Sequence, residues 1–239
     1  MECEVCSVCG EPLYKEIELF GTVKQLRRAC ACRRKEIEEE EARDKAMVLY
    51  GKARRILEVG YLDKAYANYT FASADEKTSK ITKDMIQYAQ NFDKALKVNR
   101  GIYLYGNAGV GKTFYAACIA NEMRKKGENV LIGSASDLVR YFTKEYGRNE
   151  EAEKQIRTYP LMVIDDLGME RVNDASMSVM NEIIDMRYLS KKPLICTSNF
   201  PINKLYDGSG TYGERIISRL SEMCVPYPVT GKDRRKKHE

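Results

Sequence analysis

Gly106-Asn107-Ala108-Gly109-Val110-Gly111-Lys112-Thr113 follows the apolar run Ile102-Tyr103-Leu104-Tyr105 and opens a stretch of helical periodicity from Lys112 to Arg124. The segment matches G-x-x-x-x-G-K-[ST], in the strand-to-helix setting that pattern requires. Gly106, Gly109 and Gly111 let the backbone bend until successive N–H groups point inward at phosphate oxygens, and the helix that follows adds the positive end of its dipole. Lys112 sets a fixed cation against the β- and γ-phosphates, and the Thr113 hydroxyl is a ligand for Mg²⁺. The expected ligand is ATP with Mg²⁺, held by Gly106, Asn107, Ala108, Gly109, Val110, Gly111, Lys112 and Thr113. The bland alternative is a glycine-rich turn that happens to precede Lys-Thr.

A second element is Leu161-Met162-Val163-Ile164-Asp165-Asp166, an apolar run closed by two carboxylates. Adjacent carboxylates at the tip of a buried strand repel each other and lose hydration unless a cation sits nearby. Asp165 is the expected partner of Mg²⁺, and Asp166 is placed to orient or deprotonate an attacking water. A third apolar run, Leu194-Ile195-Cys196-Thr197, leads to Ser198-Asn199. Ligands of open α/β sheets gather at the carboxyl ends of strands, which puts Asn199 within reach of the γ-phosphate. A turn former before Phe200-Pro201 is the alternative for Asn199. Arg215 and Arg219, four residues apart, share one helix face and can offer guanidinium groups to the ATP of a neighbouring copy. Two solvated arginines are the alternative there.

Outward from these motifs, apolar runs alternate with longer amphipathic stretches, the βαβ pattern of an α/β fold with a mostly parallel five-stranded sheet. The expected strands are Ile102–Tyr105, Val130–Gly133, Leu161–Ile164, Leu194–Thr197 and Cys224–Pro228. The expected helices are Lys112–Arg124, Ser136–Glu145, Ser176–Tyr188 and Gly213–Met223. In the third helix Val179, Ile183, Ile184 and Met186 recur at helical spacing and should be buried. On the second, Arg140, Tyr141, Phe142 and Lys144 form a candidate nucleic-acid grip, with an ordinary amphipathic helix as the alternative.

Of the 8 cysteines, Cys3, Cys6, Cys9, Cys30 and Cys32 crowd the start of the chain. The opening residues lack the basic and apolar segments of a secretory signal, and no apolar run is long enough to span a bilayer. The expected location is therefore cytoplasmic, with no membrane, where dense cysteines read as metal ligands rather than disulfides. Cys6 and Cys9, then Cys30 and Cys32, are short-spaced pairs separated by a loop, as a tetrahedral Zn²⁺ site requires. Cys3 competes with Cys6, because Cys3-Glu4-Val5-Cys6 has the same spacing. Cys118, Cys196 and Cys224 sit in apolar segments and read as small hydrophobes. Acidic residues from Glu36 to Glu41, followed by basic ones from Arg43 to Arg55, suit a helix dipole. The expected organisation is a zinc-binding module over 1–35, a helical linker over 36–60 and an ATPase domain over 61–239. A net charge of +5 permits nucleic-acid binding without demanding it.

The order of Tyr69-Thr70-Phe71, Gly106 to Thr113, Ile164-Asp165-Asp166-Leu167-Gly168, Ile183 to Tyr188, Thr197-Ser198-Asn199 and Gly213 to Leu220 resembles the DnaC/IstB-like family of AAA+ ATPases. That family comprises replicative helicase loaders and transposition helper ATPases. The resemblance runs from about Tyr61 to the end of the chain. It implies that Asn199 is the first sensor, that an arginine of Arg215 and Arg219 is a finger acting in trans, with Arg219 preferred, and that the Asn199 strand lies between the other two. Where many members carry glutamate this chain has Asp166, and the second sensor arginine falls somewhere in Gly231 to Lys237. The cysteine end is similar to that of DnaI-like and phage DnaC-like loaders, whose zinc module docks on the helicase. What the resemblance implies is an ATPase that loads a DnaB-type replicative helicase hexamer, self-associates through its AAA+ domain and engages single-stranded DNA during DNA replication. The alternatives are a transposition helper acting on duplex DNA and an ATP-gated adaptor with little hydrolysis.

Overall fold

Five runs assemble into one parallel sheet: four are buried on both faces, as a layered α/β arrangement permits, while the fifth, Cys224–Pro228 at one edge, is largely exposed. The computed structural model describes residues 4–19, 22–43, 62–75, 79–144, 147–169, 174–206 and 210–234. The chain divides into two compact units, Met1–Lys52 and Ala53–Glu239.

The first unit holds an antiparallel hairpin of β1 (Tyr14–Leu19) and β2 (Thr22–Arg27), then a helix, α1, described over residues 31–43. Helix α1 starts before the expected linker boundary, so Cys32 lies in its first turn. The remainder of the expected linker, to residue 60, and Cys3 lie outside the described residues.

In the second unit, described from residue 62, two 3-10 turns (Lys64–Asn68 and Phe71–Ser73) precede two helices that sequence reasoning left unassigned, α2 (Lys80–Gln90) and α3 (Phe92–Lys97). There follow β3 (Gly101–Tyr105), α4 (Lys112–Lys125), β4 (Val130–Ser134), α5 (Ala135–Phe142), a two-residue hairpin of β5 (Thr143–Lys144) and β6 (Gly147–Arg148), and α6 (Glu150–Thr158). The chain continues with β7 (Leu161–Asp165), α7 (Asp174–Leu189), β8 (Leu194–Ser198), α8 (Gly210–Met223) and β9 (Cys224–Pro228). The sheet order is β4-β7-β8-β3-β9, so β8 does lie between β7 and β3.

Alternation along each strand divides the core in two. Ile102, Leu104, Val130, Ile132, Leu161, Val163 and Ile195 face the layer of α2, α3 and α4, whereas Tyr103, Leu131, Met162, Ile164, Leu194 and Cys196 face that of α5 to α8. Each buried aliphatic side chain contributes about 1.5–3 kcal/mol. Ile183, Ile184 and Met186 are buried as expected, Val179 partly so, and Cys118, Cys196 and Cys224 behave as core hydrophobes. Among the described residues no helix is long and apolar enough to cross a membrane.

One expected helix is corrected. The stretch Ser136–Glu145 stops being helical after Phe142, where Thr143 adopts extended backbone angles and its hydroxyl donates to Val139 O at 2.7 Å. Lys144 therefore lies in β5, and Phe142 is only 1% exposed, so the base-stacking role considered for it does not hold. Tyr141 Oη donates to Gln155, and Arg140 pairs with Asp137 on its own helix.

Arg187, in the Ile183 to Tyr188 motif, is fully buried. Its guanidinium donates to the carbonyls of Ile156, Tyr159, Pro160 and Pro193, tying the α6–β7 turn to the start of β8. Burial pushes its pKa down to about 9, which leaves it charged at neutral pH. The motif is thus partly a structural staple.

Candidate functional site

Three parallel strands, β3, β7 and β8, end at one edge of the sheet, and the loops that leave them meet there. Between β3 and α4 the phosphate loop needs backbone angles that L side chains avoid: Gly109 has φ +78° and Gly106 φ +150°. A Cβ on Gly106 would also sit 2.1 Å from Val229 O. The loop borders a cavity of about 460 Å³ whose walls include Tyr69, Lys112, Thr113, Asp166, Asn199 and Arg234, a size that suits a small-molecule site.

Lys112 is 5% exposed, and its ammonium donates to Gly106 O at 2.9 Å, Asn107 O at 2.8 Å and Asn199 Oδ1 at 2.8 Å. The lysine of the first motif and the asparagine of the third are thus in direct contact. Asp165, 4% exposed, accepts at Oδ1 from Thr113 Oγ1 (2.9 Å) and Thr197 Oγ1 (2.6 Å), and at Oδ2 from Tyr66 Oη (3.1 Å). Burial pushes its carboxyl above the usual range; the three hydroxyls pull it down, and the neighbouring Asp166 pushes it further up. A hydroxyl and a carboxylate beside a phosphate loop are the hard oxygen donors that suit Mg²⁺.

Asp166 is exposed and lines the cavity, with φ +53°. Such backbone strain collects at functional sites. Its N–H donates to Thr197 Oγ1 at 2.9 Å, so one threonine on β8 holds both the Asp165 carboxylate and the Asp166 backbone. Arg215 and Arg219, on α8, both pair with Asp185 on α7, and Arg219 also lies over the Tyr188 ring at 5.8 Å.

Sequence reasoning assigned no role to Thr197 or Tyr66, whose contacts with Asp165 join residues far apart in the chain. Arg234 was one of several tail candidates. The segment after β9 runs back along the phosphate loop, with Val229 N donating to Tyr105 O (2.7 Å) and Arg234 N to Gly109 O (3.0 Å). Arg234 then faces Asp75 at 3.9 Å beside the cavity; residues 235–239 lie outside the described residues. Tyr69, from the Tyr69-Thr70-Phe71 motif, lines the cavity and packs edge-on against Phe114, 5.7 Å between centroids.

In the first unit the Sγ atoms of Cys6, Cys9, Cys30 and Cys32 lie within 4.8 Å of one another. Cys32 is 3.5 Å from Cys6, 3.5 Å from Cys9 and 3.1 Å from Cys30. The sulfur–sulfur edge of a tetrahedral zinc thiolate site is about 3.8 Å, so this donor set fits Zn²⁺. Backbone N–H groups of Cys9 and Val8 pull the Cys6 thiol down to about 6, while the neighbouring sulfurs push Cys32 up to about 12. Four thiols this close cannot all ionise without a cation between them. Glu11, absent from the sequence-based expectations, accepts from Ala31 N at 2.7 Å and so caps α1 beside the cluster.

Residues 36–239 match the family described as IstB-like ATP binding protein. The chain is 27% identical over 200 residues to the replicative helicase loader DnaI of Bacillus subtilis (strain 168), a match covering 77% of this chain and 64% of that protein. It is 27% identical over 139 residues to the replicative helicase loader DnaC of Escherichia coli (strain K12), covering 56% and 54%. The matches thus span less than two thirds of either relative's length. A crystal structure of DnaI aligns with TM-score 0.59 at 27% identity, covering 72% of this chain and 93% of that one. A crystal structure of the DnaC helicase loader aligns with TM-score 0.61 at 24% identity, covering 70% and 100%, and speaks to the fold alone.

Proposed function

The chain belongs to the IstB-like ATP-binding protein family, and from that premise we propose that it is a magnesium-dependent ATPase that loads a ring-shaped replicative helicase onto single-stranded DNA. The observation that carries the nucleotide half is the convergence of Lys112, Thr113, Asp165, Asp166 and Asn199 on one cavity edge. The helicase half rests on the similarity to helicase loaders together with the cysteine cluster.

In this reading the backbone N–H groups of Gly106 to Thr113 cradle the triphosphate, and Lys112 exchanges its loop carbonyls for phosphate oxygens. Thr113 and Asp165 hold Mg²⁺, which when bound neutralises charge on the β- and γ-phosphates. Asp166 orients the attacking water and accepts its proton, while Asn199 contacts the γ-phosphate. Tyr69 borders the adenosine, and Arg234 is the second cation at the cavity. Arg219, released from Asp185, reaches the ATP of a neighbouring copy and makes hydrolysis depend on assembly. Cys6, Cys9, Cys30 and Cys32 bind Zn²⁺ and shape the first unit for docking on the helicase. The proposed parts are a zinc module over 1–35, a linker over 36–60 and the ATPase domain over 61–239.

A pull-down separates this reading from a transposition helper. Immobilised chain with ATP and Mg²⁺ is expected to retain a purified DnaB-type helicase and not a transposase of the IstB-associated type. Retention of the transposase alone would replace the loader with the helper.

A further inference from the structure

The segment that opens the described part of the second unit is fastened at both ends. Leu62 N donates to Ile132 O on β4 at 3.0 Å. A 3-10 turn, Lys64–Asn68, follows, capped by the Asp63 side chain, which accepts from Ala65 N at 2.8 Å. Asn121, buried on α4, donates from Nδ2 to Tyr66 O at 2.9 Å and to Tyr69 O at 2.7 Å. One amide thus fixes two residues with different targets. The Tyr66 ring is 8% exposed, and its hydroxyl reaches Asp165 Oδ2, the oxygen that neither Thr113 nor Thr197 engages. Tyr69, three residues on, is a wall of the nucleotide cavity.

A buried carboxylate oxygen keeps its orientation only while its donors stay in place, and outer partners of metal-binding groups set metal affinity in this way. We infer that Tyr66 is a positioning residue for Asp165 that couples Mg²⁺ binding to occupancy of the nucleotide cavity. This rests on the ATPase reading above. Because Asn121 ties Tyr66 and Tyr69 to one point on α4, a nucleotide pressing on Tyr69 would steady the Tyr66 hydroxyl on Asp165. In this reading Tyr66 acts through Asp165 and takes no part in bond making.

Binding of a fluorescent ATP analogue to the full chain, in EDTA and across a Mg²⁺ titration, tests the coupling. Tyr66→Phe keeps the ring and removes only the hydroxyl. It should bind the analogue in EDTA as the unmodified chain does, which also reports an intact fold, yet need about tenfold more Mg²⁺ to reach the tight state. In an Asp165→Asn background the same substitution should change the Mg²⁺ midpoint by less than about twofold, because its partner is already altered. An unshifted midpoint overturns the inference, as does an equal loss of affinity in EDTA, which marks a packing role. A full tenfold shift persisting beside Asp165→Asn overturns it too. An unmodified chain that binds no nucleotide with Mg²⁺ overturns both this inference and the ATPase reading.

Discussion

A Lys112→Ala chain is expected to bind ATP with Mg²⁺ at least about a hundredfold more weakly than the unmodified chain, and to lose hydrolysis with it. The ammonium is nearly fully enclosed and makes three hydrogen bonds at the loop, to Gly106 O, Asn107 O and Asn199 Oδ1. In the proposed nucleotide complex those donors would turn to phosphate, where a charged hydrogen bond is worth about 1.5–3 kcal/mol. Alanine is the best helix former and Lys112 opens α4, so the helix should survive the change. Equilibrium binding and a phosphate-release assay read the outcome. If Arg219 acts in trans, mixing this variant with Arg219→Ala should restore part of the hydrolysis, since one copy supplies the finger and the other the intact loop. Absence of recovery at any mixing ratio contradicts that role, and ATP affinity unchanged in Lys112→Ala contradicts the site itself.

Removing zinc should have a comparably large effect on the first unit. Little there is buried: among its described hydrophobic residues Cys30 is the one counted in the core, while Val8 is 82% exposed and β2 is exposed along its length. A segment with so little core needs a further source of stability, and a structural zinc site at the four cysteines would supply about 10–16 kcal/mol. A strong chelator is therefore expected to release roughly one zinc per chain, to erase amide protection in the β1–β2 hairpin and to free the helicase. ATP binding by the second unit should persist. Hydrogen exchange and metal analysis check this, and an intact hairpin after full chelation would show that the cysteines do not hold it through a metal.

The second unit was legible where burial leaves a mark on sequence. Strands β3, β4, β7 and β8 begin and end within one residue of their expected limits, because strands buried on both faces read as unbroken apolar runs. Asp165 and Asp166 stood out because acid after such a run needs a cation. The hairpin at Tyr14–Arg27 was not legible, since Tyr-Lys-Glu-Ile-Glu-Leu and its partner are mixed in polarity and show no buried face. Helix α6 hid in Glu150 to Arg157, where charge masks the buried Ala152 and Ile156. Thr197, Tyr66, Glu11 and Arg234 have functional neighbours 20 residues or more away in sequence, and no local pattern announces such contacts. Phe142 misled for the opposite reason: an aromatic beside basic residues looks the same whether it faces the core or a ligand.

Asp166→Asn tests whether ATP is bound and cleaved where β3, β7 and β8 end. Asparagine tolerates the φ of +53° at this position as aspartate does, so the backbone should be undisturbed. ATP binding with Mg²⁺ and ATP hydrolysis are measured side by side on the two chains. Binding should be unchanged, with turnover reduced at least about a hundredfold by loss of the base. Equal turnover in both chains, or no hydrolysis by the unmodified chain in the presence of helicase and single-stranded DNA, would contradict cleavage at that edge.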